Sequence, residues 1–312
     1  MLVGTWNLEN LYRPGGLFGP RDQTAYEAKL ASLAAVITEL DPDLLGVQEI
    51  GEPVALADLV GMLDGEWHTA VSTHPDSRGI RVGFLSRTPL RLLADTTAFP
   101  DMLRPVQTDD TGQTTEAAGR GLLAVETEGV CAAVAHLKSK LLSYPVNRFH
   151  PHDEGERARY GVYALHRRAC EAAALRALAD TLLAGDGRER DVVVLGDLND
   201  EVQAGTTQLL LGPPGSEIGT PGFDRADRGD AARLWNVAPL IPAGQCYSRI
   251  NSGRPELIDH VLVSHRLARR IAVAGTGLPA ETAPRLPSVS EDPAGRRDAA
   301  GSDHAPVWVR VD

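Results

Sequence analysis

The chain has few cysteines, few aromatics and no surplus of positive charge. Its three cysteines, Cys131, Cys170 and Cys246, are odd in number, far apart and without a CxxC spacing. Neither a disulfide framework nor a zinc site is indicated, and buried inert thiols are the expected reading. Aromatics make up 5% of the residues, so aliphatic strands and Ala/Leu-rich helices must build the core. A net charge of −11 disfavours a bulk electrostatic grip on DNA, RNA or anionic lipid. It does not exclude phosphate substrates, because a bound divalent cation supplies positive charge locally. No run approaches the length of a membrane span, no repeat is visible, and no protein partner is inferable. Met1 leads directly into an apolar strand without a signal-like region. The chain as written is therefore expected to be cytoplasmic, with a secreted mature form as the other reading.

What is present is an ordinary globular composition, 43% hydrophobic and 23% charged over 312 residues. No polar linker divides the chain, so residues 1–312 are read as one large domain. Short apolar runs predict strands at 2–6, 43–48, 80–85, 122–126, 131–135, 191–195, 257–263 and 306–311. Several are continuously aliphatic, as in strands covered on both faces. Tyr26, Leu30, Leu33, Ile37 and Leu40 fall on one helical stripe that ends at Asp41-Pro42. A second helix is predicted from about 164 to 183, with Ala172, Leu175, Ala179 and Leu182 on one face. Strands mixed with helices read as a large α/β domain. Residues 143–160 and 275–302 look irregular, and the second stretch, rich in Pro and Gly, is expected to be mobile and to gate the site.

Polar residues competent to bind metal or phosphate recur where these runs end. Asn7 follows Gly4-Thr5-Trp6, and Glu49 follows 44–48. His136 follows 132–135, Asp197 and Asn199 follow 192–196, and Asp303-His304 precede the terminal strand. One such junction ordinarily means a cap or a turn. Five of them point to a site gathered at strand ends. Asp259 instead lies within an aliphatic run, where a carboxylate costs several kcal/mol, roughly, unless paired. His304 is the expected partner, and a surface-facing strand position is the alternative.

These segments resemble the endonuclease/exonuclease/phosphatase superfamily. The resemblance rests on Thr5-Trp6-Asn7-Leu8-Glu9-Asn10-Leu11, Val47-Gln48-Glu49, His136-Leu137-Lys138-Ser139-Lys140, Gly196-Asp197-Leu198-Asn199, Leu257-Ile258-Asp259-His260 and Gly301-Ser302-Asp303-His304-Ala305-Pro306-Val307, in the family's order. It implies a four-layer α/β/β/α sandwich of two mixed sheets. It also implies hydrolysis of a phosphate ester by metal-activated water, with Mg²⁺ or Mn²⁺ on oxygen ligands. Glu49 and Asp303 should be the metal ligands, with Asn7 completing or orienting the metal and phosphate shell. His304, its tautomer fixed by Asp259, should be the general base or orient the attacking water. Asp197 should position or deprotonate that water, and Asn199 should donate to a phosphate oxygen. His136 should donate to the phosphate or protonate the leaving oxygen.

Arg168 lies on the inward stripe of the second helix, three residues before Glu171, and is expected to bind phosphate or to snorkel. One departure concerns Arg81, which stands in a strand where many relatives carry an acidic support for the residue corresponding to His136. His150, His152, Asp153 and Glu154 are read as a polar loop rather than a second metal site. A nuclease or related phosphodiesterase is the leading reading, with nucleic acid as substrate. Arg148, Arg157, Arg159, Arg167 and Arg168 are taken as local positive charge in its favour. The alternatives are a phosphatase or phospholipase-type esterase on a lipid or small phosphoester, and a non-catalytic binding module of the same fold.

Overall fold

The computed structural model describes residues 1–148, 150–289 and 293–312. Two six-stranded mixed sheets dominate it. The first runs, in spatial order, Ile271–Thr276, Val307–Val311, Leu2–Leu11, Leu44–Ile50, Arg81–Ser86 and His68–Val71. The second runs Trp235–Asn236, Asp259–Val263, Asp191–Asp197, Val130–His136, Ala117–Thr127 and Arg91–Ala98. Each sheet has one central parallel pair, Leu2–Leu11 with Leu44–Ile50 and Val130–His136 with Asp191–Asp197. A long helix bridges each pair: α1, Gln23–Leu40, and, after the short α2, Pro53–Val60, the helix α3, Glu154–Leu183.

Side-chain parity along the strands builds the layers. Val130, Ala132 and Val134, with Val193 and Leu195 from the next strand, meet Val3, Phe84 and Val309 of the other sheet. The residues between them, Cys131, Ala133, Val192 and Val194, turn the other way onto Leu175, Ala179 and Leu182 of α3. On the far side, Leu45 and Val47 pack under Leu33 and Ile37 of α1. Helix, sheet, sheet and helix thus stack in four layers, as expected. The sheets approach closely at Gly46, where a Cβ would collide with Leu195 Cδ1 and lie 3.1 Å from Val134 Cγ2.

All eight strands read from the sequence are present, with ends shifted by a few residues. Four strands of the two six-stranded sheets were not anticipated, His68–Val71, Arg91–Ala98, Trp235–Asn236 and Ile271–Thr276, each short or partly exposed and so without an aliphatic run. Nor were the two- and three-residue strands of the smaller sheets. The stretch 143–160 is a correction. From Glu154 it is helix, extending α3 by ten residues toward the N-terminus. Those first turns are charged and glycine-bearing, so they show no apolar stripe. What starts them is Asp153, whose side chain accepts from the Glu156 amide. Asp259 is also not mid-strand: it is the first residue of Asp259–Val263, because the Ser248 hydroxyl takes the Ile258 and Asp259 amides instead of a strand partner.

The stretch 275–302 is mostly irregular, with residues 290–292 outside the described ones. It is tied down at several points, by Ser288–Val289 pairing with Ile250–Asn251 and by Arg297 donating to the Gly16 and Gly19 carbonyls. Among the described residues no helix is long and apolar enough to cross a membrane.

Candidate active site

Strand register assembles one half of the site. Asp197 is the Cα partner of His136 on one side and of Asp259 on the other. All three have the parity of the residues that face the opposite sheet, so a row His136–Asp197–Asp259 points into the space between the sheets at their rim. Gly196 makes the close pairing possible: its φ is +142°, and a Cβ there would strike the Ala135 carbonyl. His136 Nε2 lies 3.3 Å from Asp197 Oδ2. Asn199, itself at φ +54°, folds back so that its amide donates to Asp197 Oδ1 at 2.9 Å and its Nδ2 to the Leu137 carbonyl at 3.0 Å.

The first sheet supplies the other half. Asn7 shares the inward parity of Val3, and its Nδ2 donates to Asp197 Oδ2 at 3.0 Å and to Glu49 Oε1 at 3.3 Å. By simple alternation Glu49 would share the helix-facing side of Leu45 and Val47. A bulge intervenes: the register shifts between Val47 and Ile50, and Glu49 has φ +62°. The neighbouring strand bulges as well, with Glu9 and Asn10 at φ +49° and +55°, and the Asn10 amide donates to Glu49 Oε2 at 2.8 Å. Four non-glycine residues in the left-handed region around one point is strain held in place by the surrounding sheets.

The turn before the last strand closes the ring. Ser302 Oγ donates to the Asn7 carbonyl at 2.6 Å and accepts from the His304 amide at 3.0 Å. Trp6 Nε1 donates to the His304 carbonyl at 2.8 Å. His304 Nδ1 then reaches Asp259 Oδ2 at 2.7 Å, and its Nε2 lies 4.0 Å from Asp303 Oδ1. The surface-facing alternative for Asp259 is excluded, since it is fully buried and paired. All eight of Asn7, Glu49, His136, Asp197, Asn199, Asp259, Asp303 and His304 are therefore linked around one centre. Sequence reading missed the frame behind them. Glu9 accepts the Asp303 amide and is held by both ends of the Arg296 guanidinium at 2.5 and 2.7 Å. Glu9 stands inside the quoted Asn-Leu-Glu-Asn segment, but nothing there signals its distant partner. Lys29 of α1 is buried behind them, which pushes its ammonium below the ordinary lysine range despite Glu9 and Glu49 nearby.

Charge is out of balance here. Burial, then the Asp259 charge, pushes Asp197 up to about 7. Burial opposes a charged His304, but Asp259 and Asp303 outweigh it and raise the ring to about 10. Burial, then Arg120, drives His136 well below its usual range, so it is a neutral imidazole. Its Nδ1 is buried without a partner among the described residues. Arg81, which replaces the acidic support, turns instead to the Gly51 and Gly79 carbonyls. Carboxylate oxygens of Glu49, Asp197 and Asp303 and an unpartnered buried Asp259 Oδ1 border the site and are the hard oxygens a divalent cation takes, while Asn7 turns its Nδ2 to Glu49 and Asp197 and its Oδ1 accepts from the Glu9 amide. Among the described residues the acidic and imidazole groups whose ligand atoms converge within 4.8 Å are Asp197, Asp259 and His304, and the Asp259–His304 hydrogen bond already engages two of them.

Arg168 is not joined to this ring. Its Nε donates to Asp200 Oδ2 and one Nη to the Lys138 carbonyl, both at 3.0 Å, with the whole side chain buried. The arginines read as local positive charge are each matched to a carboxylate: Arg148 to Glu156, Arg157 to Glu154, Arg159 to Asp110, Arg167 to Glu171 and Arg168 to Asp200. Their contribution to a phosphate-binding field is therefore largely cancelled. In the 150–154 loop Asp153 caps α3, the His152 amide donates to Glu156 and Glu154 pairs with Arg157, so no second metal centre forms there.

Comparison with known proteins bears on the fold and the family. Solved structures with the same fold include a 3'-5' exonuclease from Neisseria meningitidis, at 16% identity and TM-score 0.56 over 100% of both chains. An AP endonuclease from Archaeoglobus fulgidus has 14% identity and TM-score 0.52, over 100% of this chain and 99% of that one. The human nocturnin catalytic domain has 15% identity and TM-score 0.52, over 99% and 93% of the two chains. A search of curated proteins gives no match. A family profile described as the Endonuclease/Exonuclease/phosphatase family matches residues 4–304, from before Asn7 through His304, and the chain belongs to that family.

Proposed function

We propose that this chain is a Mg²⁺- or Mn²⁺-dependent phosphodiesterase that hydrolyses nucleic acid. The observation that carries the reading is the buried row His136–Asp197–Asp259 closed by His304, with Asn199 on the same loop. Glu49 and Asp303 would hold the cation, with Asn7 orienting Glu49 and Asp197 through its Nδ2, and the cation when bound would supply positive charge to the phosphate oxygens. Asp197, raised to about 7, is poised to accept a proton from the attacking water near neutrality. His304, kept charged by Asp259, orients that water and donates to a phosphate oxygen as negative charge builds there. Of the two roles open to His304 in the sequence, the electrostatics favour orientation over proton abstraction. Neutral His136 and the Asn199 amide add donors on the Asp197 side.

The test is a substrate panel of plasmid DNA, single-stranded DNA, RNA, phosphoinositides and bis(p-nitrophenyl) phosphate, each with Mg²⁺, Mn²⁺ or excess EDTA. Cleavage of a nucleic acid that stops with EDTA is expected. Undiminished turnover in EDTA would overturn the cation's role. A second reading, a phosphatase or esterase on a small phosphoester, is favoured by the neutralised arginines of α3. Activity confined to the small or lipid substrates would establish it instead.

A further inference from the structure

A cavity of about 1220 Å³ opens beside His136, on the side away from Asp259. It shares walls with the site: Asn10, whose amide holds Glu49, and Arg120, whose Nη1 donates to the His136 carbonyl, both line it. Five cations line it against two carboxylates, in a chain whose total charge is −11. Three of those cations have no carboxylate partner among the described residues. Arg78 donates through Nη2 only to Asn10 Oδ1, and its Nε is buried without a partner. Lys138 Nζ has only Ser139 and the Leu141 carbonyl, and Arg297 only the carbonyls of Gly16 and Gly19. This is the reverse of the arginines on α3, each of which is neutralised.

We propose that this cavity is a subsite for single-stranded nucleic acid, continuing the strand from the scissile phosphate. The inference rests on the phosphodiesterase reading and names its substrate form. Three unneutralised cations on three separate loop segments suit successive phosphates better than one. The volume exceeds the roughly 300–1,000 Å³ of a small-ligand pocket. The walls carry flat apolar faces. Phe18 is 38% exposed with the Arg78 guanidinium 5.4 Å from its ring, and Leu17 beside it is 79% exposed. Tyr163, half-buried, lines the α3 side with its hydroxyl fixed on Asp110. Aromatic faces interleaved with cations bind strands whose bases are free to stack, and a duplex keeps its bases hidden from such faces.

The experiment measures anisotropy of a short fluorescein-labelled oligothymidylate on Asp197→Asn protein with Mg²⁺, so that the probe stays intact. A blunt duplex of matching charge and phosphatidylserine vesicles are the other arms. The single strand should bind more tightly than the duplex. Arg78→Gln with Lys138→Gln should reduce the slope of log K against log salt by about 1.4, near 0.7 for each phosphate left without its cation. Phe18→Ala, on an exposed segment, should weaken binding about tenfold with the slope unchanged. Equal or better duplex binding, or binding to vesicles alone, would overturn the assignment. So would an unchanged slope in the doubly substituted protein at unchanged Tm. If Arg78→Gln with Lys138→Gln does not fold, Phe18→Ala decides alone. Cleavage of bis(p-nitrophenyl) phosphate without oligonucleotide binding would end this inference and leave the phosphodiesterase reading standing. Binding without cleavage of any substrate by the parent protein would end the phosphodiesterase reading and overturn the continuation from a scissile phosphate, leaving a strand-binding cavity alone.

Discussion

His304 and Glu49 border the same site, His304 buried and Glu49 half-buried, yet their loss should look different. Glu49 offers a carboxylate held by Asn7 and the Asn10 amide, an arrangement that suits a cation. Glu49→Gln keeps the shape and removes charge, so activity should fall and then recover in part as Mg²⁺ or Mn²⁺ is raised. His304 is fixed by Asp259, and Asp197 by Asn7 and Asn199. His304→Ala and Asp197→Asn should each lower kcat at least about a hundredfold, with no recovery at high metal. Steady-state kinetics over a metal titration separates the two behaviours. Near-normal turnover by His304→Ala would remove it from the mechanism. These residues were legible because each ends an apolar run and their order is the family's. The frame was not: Glu9, Arg296 and Lys29 become partners only when residues nearly three hundred positions apart are folded together.

At the scale of elements, the sequence was readable wherever burial repeats with the period of the element. The aliphatic strands and the stripe of α1 came through for that reason. The first turns of α3 did not, since the stripe they bury, Glu156, Tyr160 and Ala164, starts on a carboxylate and is short of aliphatic residues, although Asp153 followed three residues later by Glu156 is a legible helix start. Asp153→Ala should therefore destabilise the protein by about 1 kcal/mol, seen as a small fall in Tm with kcat unchanged. The bulges that re-aim Glu49 are invisible to alternation, which would have pointed it at α1. Arg168 presents a choice between two functions of one helix position. Its guanidinium spans Asp200 and the Lys138 carbonyl, a reach that lysine cannot divide in two directions. Arg168→Lys should cost about 1.5–3 kcal/mol, the range for a charged hydrogen bond, and lower Tm by several degrees. A raised KM for oligonucleotide at unchanged Tm would instead establish the phosphate contact expected from the sequence.

For the whole molecule, the acidic site ties stability to pH and to metal. His304 is raised to about 10, so it stays protonated in the fold where the unfolded ring would have released its proton. That contribution is fully present below the unfolded value near 6.5 and is lost as pH rises toward 10. Asp197, raised to about 7, works in the same direction, since the folded state holds a proton that the unfolded carboxyl gives up near 3.8. His136, lowered by burial, acts oppositely, but only below its unfolded value of 6.5. Above that point the His304 and Asp197 terms agree, whereas Lys138, lowered by burial to about 8, and Lys29, also lowered, act oppositely above their folded values. The metal-free protein should therefore lose stability most clearly from about pH 6.5 to pH 8. A divalent cation prefers the deprotonated carboxylates and offsets their mutual repulsion, so it should flatten the decline. Tm measured across that range in EDTA and in Mg²⁺ tests this directly. The two curves should diverge as pH rises, and the divergence should shrink in Asp197→Asn protein, which has lost one titrating partner. Parallel curves would mean that the cation does not bind at the carboxylates assigned to it.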